Sequence, residues 1–438
     1  GNSMRKNKMT VIAIAFVLAV TAMGCAKTEE YSGEYNYETD AQYSYDNNIT
    51  SWKKYQSDGS GQYILMNNYI YYYNNETKQL NPLCDKANCL HDMETDSTRR
   101  GECNAYIDKT SWNEETSVDP GYKFIQYYEG SIYYTIGSDV YRVSGDGTTK
   151  KKIFTTENGK AIISWLIHRG KLYYEVEEYS SEGDNIYARG VLKQIGIRDS
   201  MKEKDAKVIF QTDEELNMHS FGQLQAYKDQ LFFSTDCFSK DFQMTDNESW
   251  IKAGIHTYYV YNMDTDQVSV MEVPDCQSDT DGIGSIVFLK DKMLIKKYDD
   301  MQDAEYKTAI YSMDYDTKET TVWLDGVAQD SGMMAYDNEV ILDNADIQYF
   351  KYDNQNSCNV EIYDSDAKKL SEFEYGINSI GTFSGFGPDG ISVDVTQDDT
   401  SWYVHEISIE DVINCNGEKV TPKIVSERNF GELNNIDW

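Results

Sequence analysis

The chain has 438 residues, with 40 Lys and Arg against 74 Asp and Glu, for a formal charge of −34. That balance excludes binding to a nucleic-acid backbone, because no cationic surface is available to release counterions. A hydrophobic share of 40% and an aromatic share of 13% place the chain outside the disordered class, and 36 Tyr against 5 Pro favour half-buried sheet.

The first element is a leader. Arg5, Lys6 and Lys8 precede the apolar run Met9–Val20, too short to span a bilayer but suited to a secretory signal. Thr21-Ala-Met-Gly-Cys25 then resembles a bacterial lipobox, in which the Cys is diacylated and the leader is cut before it. The alternative is an ordinary signal peptide with an incidental Cys. Residues 1–24 are read as signal peptide, with Gly1–Ser3 as additions ahead of Met4, and Cys25 as the lipidation site. Losing the leader removes cations and no acids, so the mature chain is more acidic still. An extracytoplasmic protein held to the membrane by its N-terminal lipid is expected. Residues 25–51, rich in Tyr, Glu, Asp, Asn and Ser, read as a flexible tether, and 52–438 as the folded part.

Within the folded part a turn residue, one variable position and a short apolar or aromatic run recur. The copies start at Asn68, Gly130, Gly170, Asp229, Asp291, Asn338 and, more weakly, Asp389. Asp264/Asp266, Asp314/Asp316 and Asp364/Asp366 follow at steps of 50, with Asn414/Asn416 one step on. Units of this length built from short strands predict an all-β, seven-bladed β-propeller, six or eight blades being the variants the pattern allows. Blades are expected near 52–84, 122–157, 161–212, 220–275, 282–326, 332–376 and 379–427. The first looks one strand short, so the tail Glu427–Trp438 is expected to complete it and close the ring. The Asp-x-Asp turns read as side chains bonding to turn backbone, with calcium ligation as the alternative.

Lipidation of Cys25 leaves seven Cys, an odd number. Cys84, Cys89, His91 and Cys103 have the spacing C-x4-C-x-H-x11-C, with Cys84 at the mouth of an insertion at 85–121 and the other three within it. Three thiolates and an imidazole are the ligand set of a closed structural zinc site. A disulfide among the Cys and reduced thiols are the alternatives, since a loop this long needs a clamp. Cys237, Cys276, Cys358 and Cys415 read as buried small hydrophobes. Gly385-Phe-Gly-Pro-Asp-Gly390 matches a nucleotide-loop pattern but runs into a strand, so it reads as a turn. His168, His219, His256 and His405 stand alone, and no nucleophile elbow or metalloprotease helix is present.

The segments Ser131-Ile-Tyr-Tyr-Thr135 and Asp139-Val-Tyr-Arg-Val-Ser-Gly-Asp-Gly-Thr-Thr-Lys-Lys-Lys-Ile-Phe154 resemble repeats of a domain of unknown function in propeller-like secreted proteins of Gram-positive bacteria. Leu83-Cys-Asp-Lys-Ala-Asn-Cys-Leu-His91 with Cys103-Asn-Ala-Tyr106 looks like a signature of uncharacterised lipoproteins from clostridia-like organisms. The resemblance implies an anchored propeller and no particular chemistry. A monomer is expected that binds a neutral glycan or a protein without catalysis. A polysaccharide hydrolase or lyase using channel carboxylates, and an envelope spacer or assembly factor, are the alternatives. The tyrosine runs 71–73, 127–128, 133–134 and 173–174 read as core and inter-blade packing, with alternation expected to turn half of each elsewhere.

Overall fold

The computed structural model describes residues 34–35, 40, 55–108, 124–276, 280–303, 305–345, 357–376, 386–387 and 389–431. Among them, residues 55–82, 126–155, 164–211, 216–270, 281–328 and 332–376 each form a four-stranded antiparallel meander, and 391–429 forms one of three strands. The first strands of successive blades lie side by side from blade one to blade six. The architecture is a seven-bladed β-propeller. Its first hairpins turn through paired positive-φ residues, as at Glu129 (φ 42°) with Gly130 (φ 86°) and Asp337 (φ 41°) with Asn338 (φ 65°). Such turns match the right-handed twist of the strands they join.

The inner strands of blade three are buried on both faces, which bears out packing for Tyr173 and Tyr174 and corrects the expectation that half of the pair turns elsewhere. Tyr173 and Tyr174 are 1% and 0% exposed. Tyr173 meets Tyr261 of blade four at 6.5 Å between ring centres, while Tyr174 meets Phe154 of blade two at 5.3 Å. Alternation therefore distributes the rings between two neighbouring blades, and neither face is open. Polar side chains also stitch blades together. The Gln126 amide donates to the Ile167 carbonyl at 2.8 Å and accepts from the Ile167 N–H at 2.9 Å, acting as a short piece of strand between blades two and three.

Ring closure differs from the expectation. Blade one has four strands of its own, and Lys423–Asn429 is the last strand of blade seven, with Glu427 opposite Tyr403 and Arg428 opposite Trp402. The tail beyond Gly431 lies outside the described residues. The misreading has a local cause: Asn67 (φ 51°) and Asn68 (φ 64°) form the same kind of turn as the first hairpins, but they join the second and third strands. Blades seven and one instead meet through side chains. Trp402 packs on Tyr71 at 6.4 Å and on Phe430 at 5.5 Å, Tyr73 donates to Glu406 at 2.6 Å, and Lys78 pairs with Glu406 at 2.9 Å.

The Asp-x-Asp period is a hairpin cap, offset from its sequence reading. Asn74, Asn262, Asp314 and Asp364 accept turn backbone N–H groups through their side chains. The equivalent of Asp314 in blade four is thus Asn262 rather than Asp264. Asn414 caps the short helix Ile409–Ile413 and belongs to no such hairpin.

Cys25, the leader and most of the tether lie outside the described residues. Where the tether is described it touches the propeller: Asp40, 1% exposed, accepts the Arg169 N–H at 2.9 Å. Tyr35 lies 5.8 Å from the His168 ring and 6.0 Å from Tyr227. These contacts mark the end of the propeller that carries the first-hairpin turns. No described helix is long and apolar enough to cross a membrane.

Candidate functional site

Cys84 stands two residues past the end of the fourth strand of blade one, Leu80–Pro82. The chain then makes an excursion and returns at Ala105–Ile107, on the edge of the third strand that Leu83 has just left. Leu83 donates to the Ile70 carbonyl at 2.8 Å, Ile70 donates to Ala105 at 2.8 Å, and Ile107 donates to Asn68 at 2.7 Å. Cys84 and Cys103 therefore stand at the two ends of a closed loop. A helical turn, Ser97–Arg100, capped by Asp96 through Thr98 and Arg99, brings Cys103 round to Cys84. Gly147 (φ 75°) of blade two lies against the loop, where a Cβ would sit 2.8 Å from the Cys84 nitrogen. Only glycine allows that approach.

The structure brings all four predicted residues together, with their ligand atoms within 4.8 Å of one another. The Cys103 Sγ and His91 Nδ1 are 3.7 Å apart. A tetrahedron with Zn–S near 2.3 Å and Zn–N near 2.0 Å has edges of about 3.5–3.8 Å, so the set fits zinc with a small contraction. His91 takes a left-handed backbone (φ 54°), a strained choice for a non-glycine residue that is typical of ligand clamps. Its N–H donates to the Cys89 Sγ at 3.4 Å. Burial pushes the Cys103 and Cys89 thiols up and the His91 imidazole down, whereas a divalent cation displaces the thiol protons and takes up neutral imidazole. Lys150 reaches the site from blade two, donating to the carbonyls of Tyr106 at 2.5 Å and Cys103 at 3.5 Å. The three thiols are free in this structure. A metal ion held by all four would have no open position for substrate, the pattern of a structural rather than a catalytic centre.

A second site escaped the sequence. The second and third strands of blade three, Lys171–Glu182 and Asn185–Gly196, project past the strands that flank them, and lie beside the ends of Leu216–Tyr227 and Gln230–Ser239 in blade four. Between them lies a cleft of about 310 Å³. Asp246 and Ser249 form a reciprocal cap that starts the helix Asn247–Ala253 and sets Trp250 over the cleft. Trp250 meets His219 edge-on at 4.5 Å and Phe238 at 4.5 Å, and Phe238 stacks on Phe242 at 4.9 Å. Glu177, Asn217 and Lys240 complete the rim. Asn217 accepts the Ala188 N–H at 2.9 Å, and Lys240 pairs with Glu182 at 2.7 Å, so both hold blade four to the projecting hairpin of blade three. Gly190 allows the blades to approach, since a Cβ there would stand 2.3 Å from the Met218 sulfur.

Of the other histidines, His168 is buried and engages the Lys228 carbonyl at 2.7 Å. His256 pairs with Asp236, which also accepts from Ser220 at 2.9 Å. His405 meets the Thr396 hydroxyl at 2.8 Å. Cys237 and Cys276 are buried, as expected for small hydrophobes, Cys415 is half-buried, and the Cys358 side chain lies outside the described residues. Gly387–Gly390 is a turn that feeds the strand Ile391–Gln397.

No protein family matches the chain, and no curated protein sequence matches it. Among solved structures, one described as an analysis of two prolyl endopeptidases is similar over 84% of this chain and 49% of its own, at 10% identity and a TM-score of 0.47. The chain thus spans about half of that protein. A second, described as the eukaryotic initiation factor, is similar over 87% of this chain and 88% of its own, at 12% identity and a TM-score of 0.39.

Proposed function

We propose that the protein is an exported, lipid-anchored binding propeller that takes a neutral glycan into the cleft between blades three and four and releases it unchanged. The observation that carries this reading is the cleft itself. Aromatic rings of Trp250, His219 and Phe242 in the lining, beside polar groups on a rim, suit sugar rings, which offer apolar faces and hydroxyl edges. The formal charge of −34 disfavours anionic polymers and leaves neutral glycans and neutral or basic protein surfaces as partners.

Orientation supports the same reading. Tyr35 and Asp40 touch the end of the propeller that carries Arg169 and Tyr227. The cleft lies at the opposite end of the strand Leu216–Tyr227, roughly 30 Å away at the rise of a strand. An anchor at Cys25 would then leave the cleft facing away from the membrane, on a monomer outside the cytoplasm. Shallow sites of this kind bind in the micromolar to millimolar range, on the order of 4–8 kcal/mol.

Glycan and peptide arrays followed by product analysis test the proposal. Binding to neutral glycans that is lost in Trp250→Ala, with no cleavage, supports it. Cleavage of a bound polysaccharide refutes the non-catalytic reading, and silence on both arrays favours an envelope spacer.

A further inference from the structure

We propose that Cys84, Cys89, His91 and Cys103 bind one zinc ion, and that the metal-bound loop is the latch that closes the propeller ring onto blade seven. The residue after the ligand His91 is Asp92, whose side chain is 2% exposed. Arg428, in the last strand of blade seven, grips it with two nitrogens: Nε donates to Oδ2 at 2.8 Å and Nη2 to Oδ1 at 2.7 Å. The Tyr71 hydroxyl of blade one donates to Oδ2 at 3.0 Å, and a further Arg428 nitrogen reaches Asn81 at 3.3 Å. The loop thus lies across the seam between the first and last blades. A planar guanidinium held at two points fixes orientation as well as distance.

Two features make this fork depend on the metal. First, the loop has little core of its own: Leu90 is 52% exposed and Met93 43% exposed, on either side of His91 and Asp92. Segments this small need a staple to hold one shape. Secondly, no strand is exchanged between blades one and seven among the described residues, so the seam relies on side chains. Asp92 is presented to Arg428 only while Cys89 and His91 hold the turn on which it sits. Zinc binding at one end of this turn and closure by Arg428 at the other are then linked equilibria, and the linkage acts equally in both directions.

The test uses the full chain, purified with zinc and without chelator. Metal analysis is expected to give one zinc per chain, lost in the double variant Cys84→Ser/Cys103→Ser. Stripping the zinc with a chelator, which needs no substitution, is expected to speed amide hydrogen exchange in Lys423–Asn429 and Leu80–Pro82 by tenfold or more, with blades three to five unchanged. Arg428→Ala is expected to weaken zinc affinity, measured by chelator competition, by a factor matching the exchange effect. A chain without metal, or with a disulfide between two of these Cys, overturns the site. Zinc that binds with equal affinity in Arg428→Ala, and whose removal leaves exchange in Lys423–Asn429 unchanged, overturns the latch.

Discussion

Glu175 offers a direct test of how the blades are packed. It lies on the second strand of blade three, opposite Ser164 and Leu192, and is 0% exposed. Neither carboxyl oxygen has a hydrogen-bond partner among the described residues. Burial alone holds this carboxyl well above the usual carboxylate range, so the folded protein keeps its proton where the unfolded chain has lost it. Between the unfolded value and the raised folded value the native state therefore binds more protons, and stability falls as pH rises. Each pH unit inside that window costs about 1.4 kcal/mol. For a cooperative unit of roughly 380 residues the unfolding entropy is about 0.8 kcal/mol per degree, so the melting temperature drops by about 1.7 degrees per unit. Glu175→Gln keeps the shape and removes the titration. Melting curves of both proteins from pH 4.5 upward are expected to diverge, the variant gaining over the parent with each unit. Parallel curves would mean that the carboxyl ionises in the fold, and would refute the dry packing between blades.

The remaining predictions concern the seams, the histidine pair and the anchor. Gln126→Ala removes the two hydrogen bonds that its amide makes to the Ile167 backbone, at roughly 1–3 kcal/mol, and calorimetry should show a fall of about 1–4 degrees. Trp402→Ala opens the seam between Tyr71 and Phe430 and should cost about 3–5 kcal/mol by the same measurement. His256 is raised by its bond to Asp236, so its contribution is fully present below the unfolded value near 6.5 and lost as pH rises through the folded value. An NMR titration of His256 should move down in Asp236→Asn, and an unmoved titration would break the pair. Cys25→Ala should release the protein from membranes into the medium, and unchanged detergent-phase partitioning would contradict the anchor.

What could be read from the sequence was what repeats or lies close together along the chain. The turn-and-aromatic template located the blades, and Cys84, Cys89, His91 and Cys103 announced themselves by type and spacing. Register within blade one was not legible, because the Asn67–Asn68 turn imitates a first hairpin while joining later strands. The tyrosine pairs misled because alternation sends adjacent rings to opposite faces, and in a propeller both faces meet a neighbouring blade, as Tyr173 and Tyr174 do. The cleft was hidden because His219, Phe238 and Trp250 converge only where the projecting hairpin of blade three meets the strand ends and short helix of blade four. The Arg428–Asp92 fork joins residues 336 positions apart and carries no local signal at all.

Diffraction from crystals of the native protein at the zinc absorption edge tests the metal and the seam in one measurement. A single anomalous peak is predicted about 2.3 Å from the sulfurs of Cys84, Cys89 and Cys103 and about 2.0 Å from His91 Nδ1, with Arg428 forked onto Asp92 in the same map. Density running unbroken between two of those sulfurs, with no anomalous peak, would contradict it.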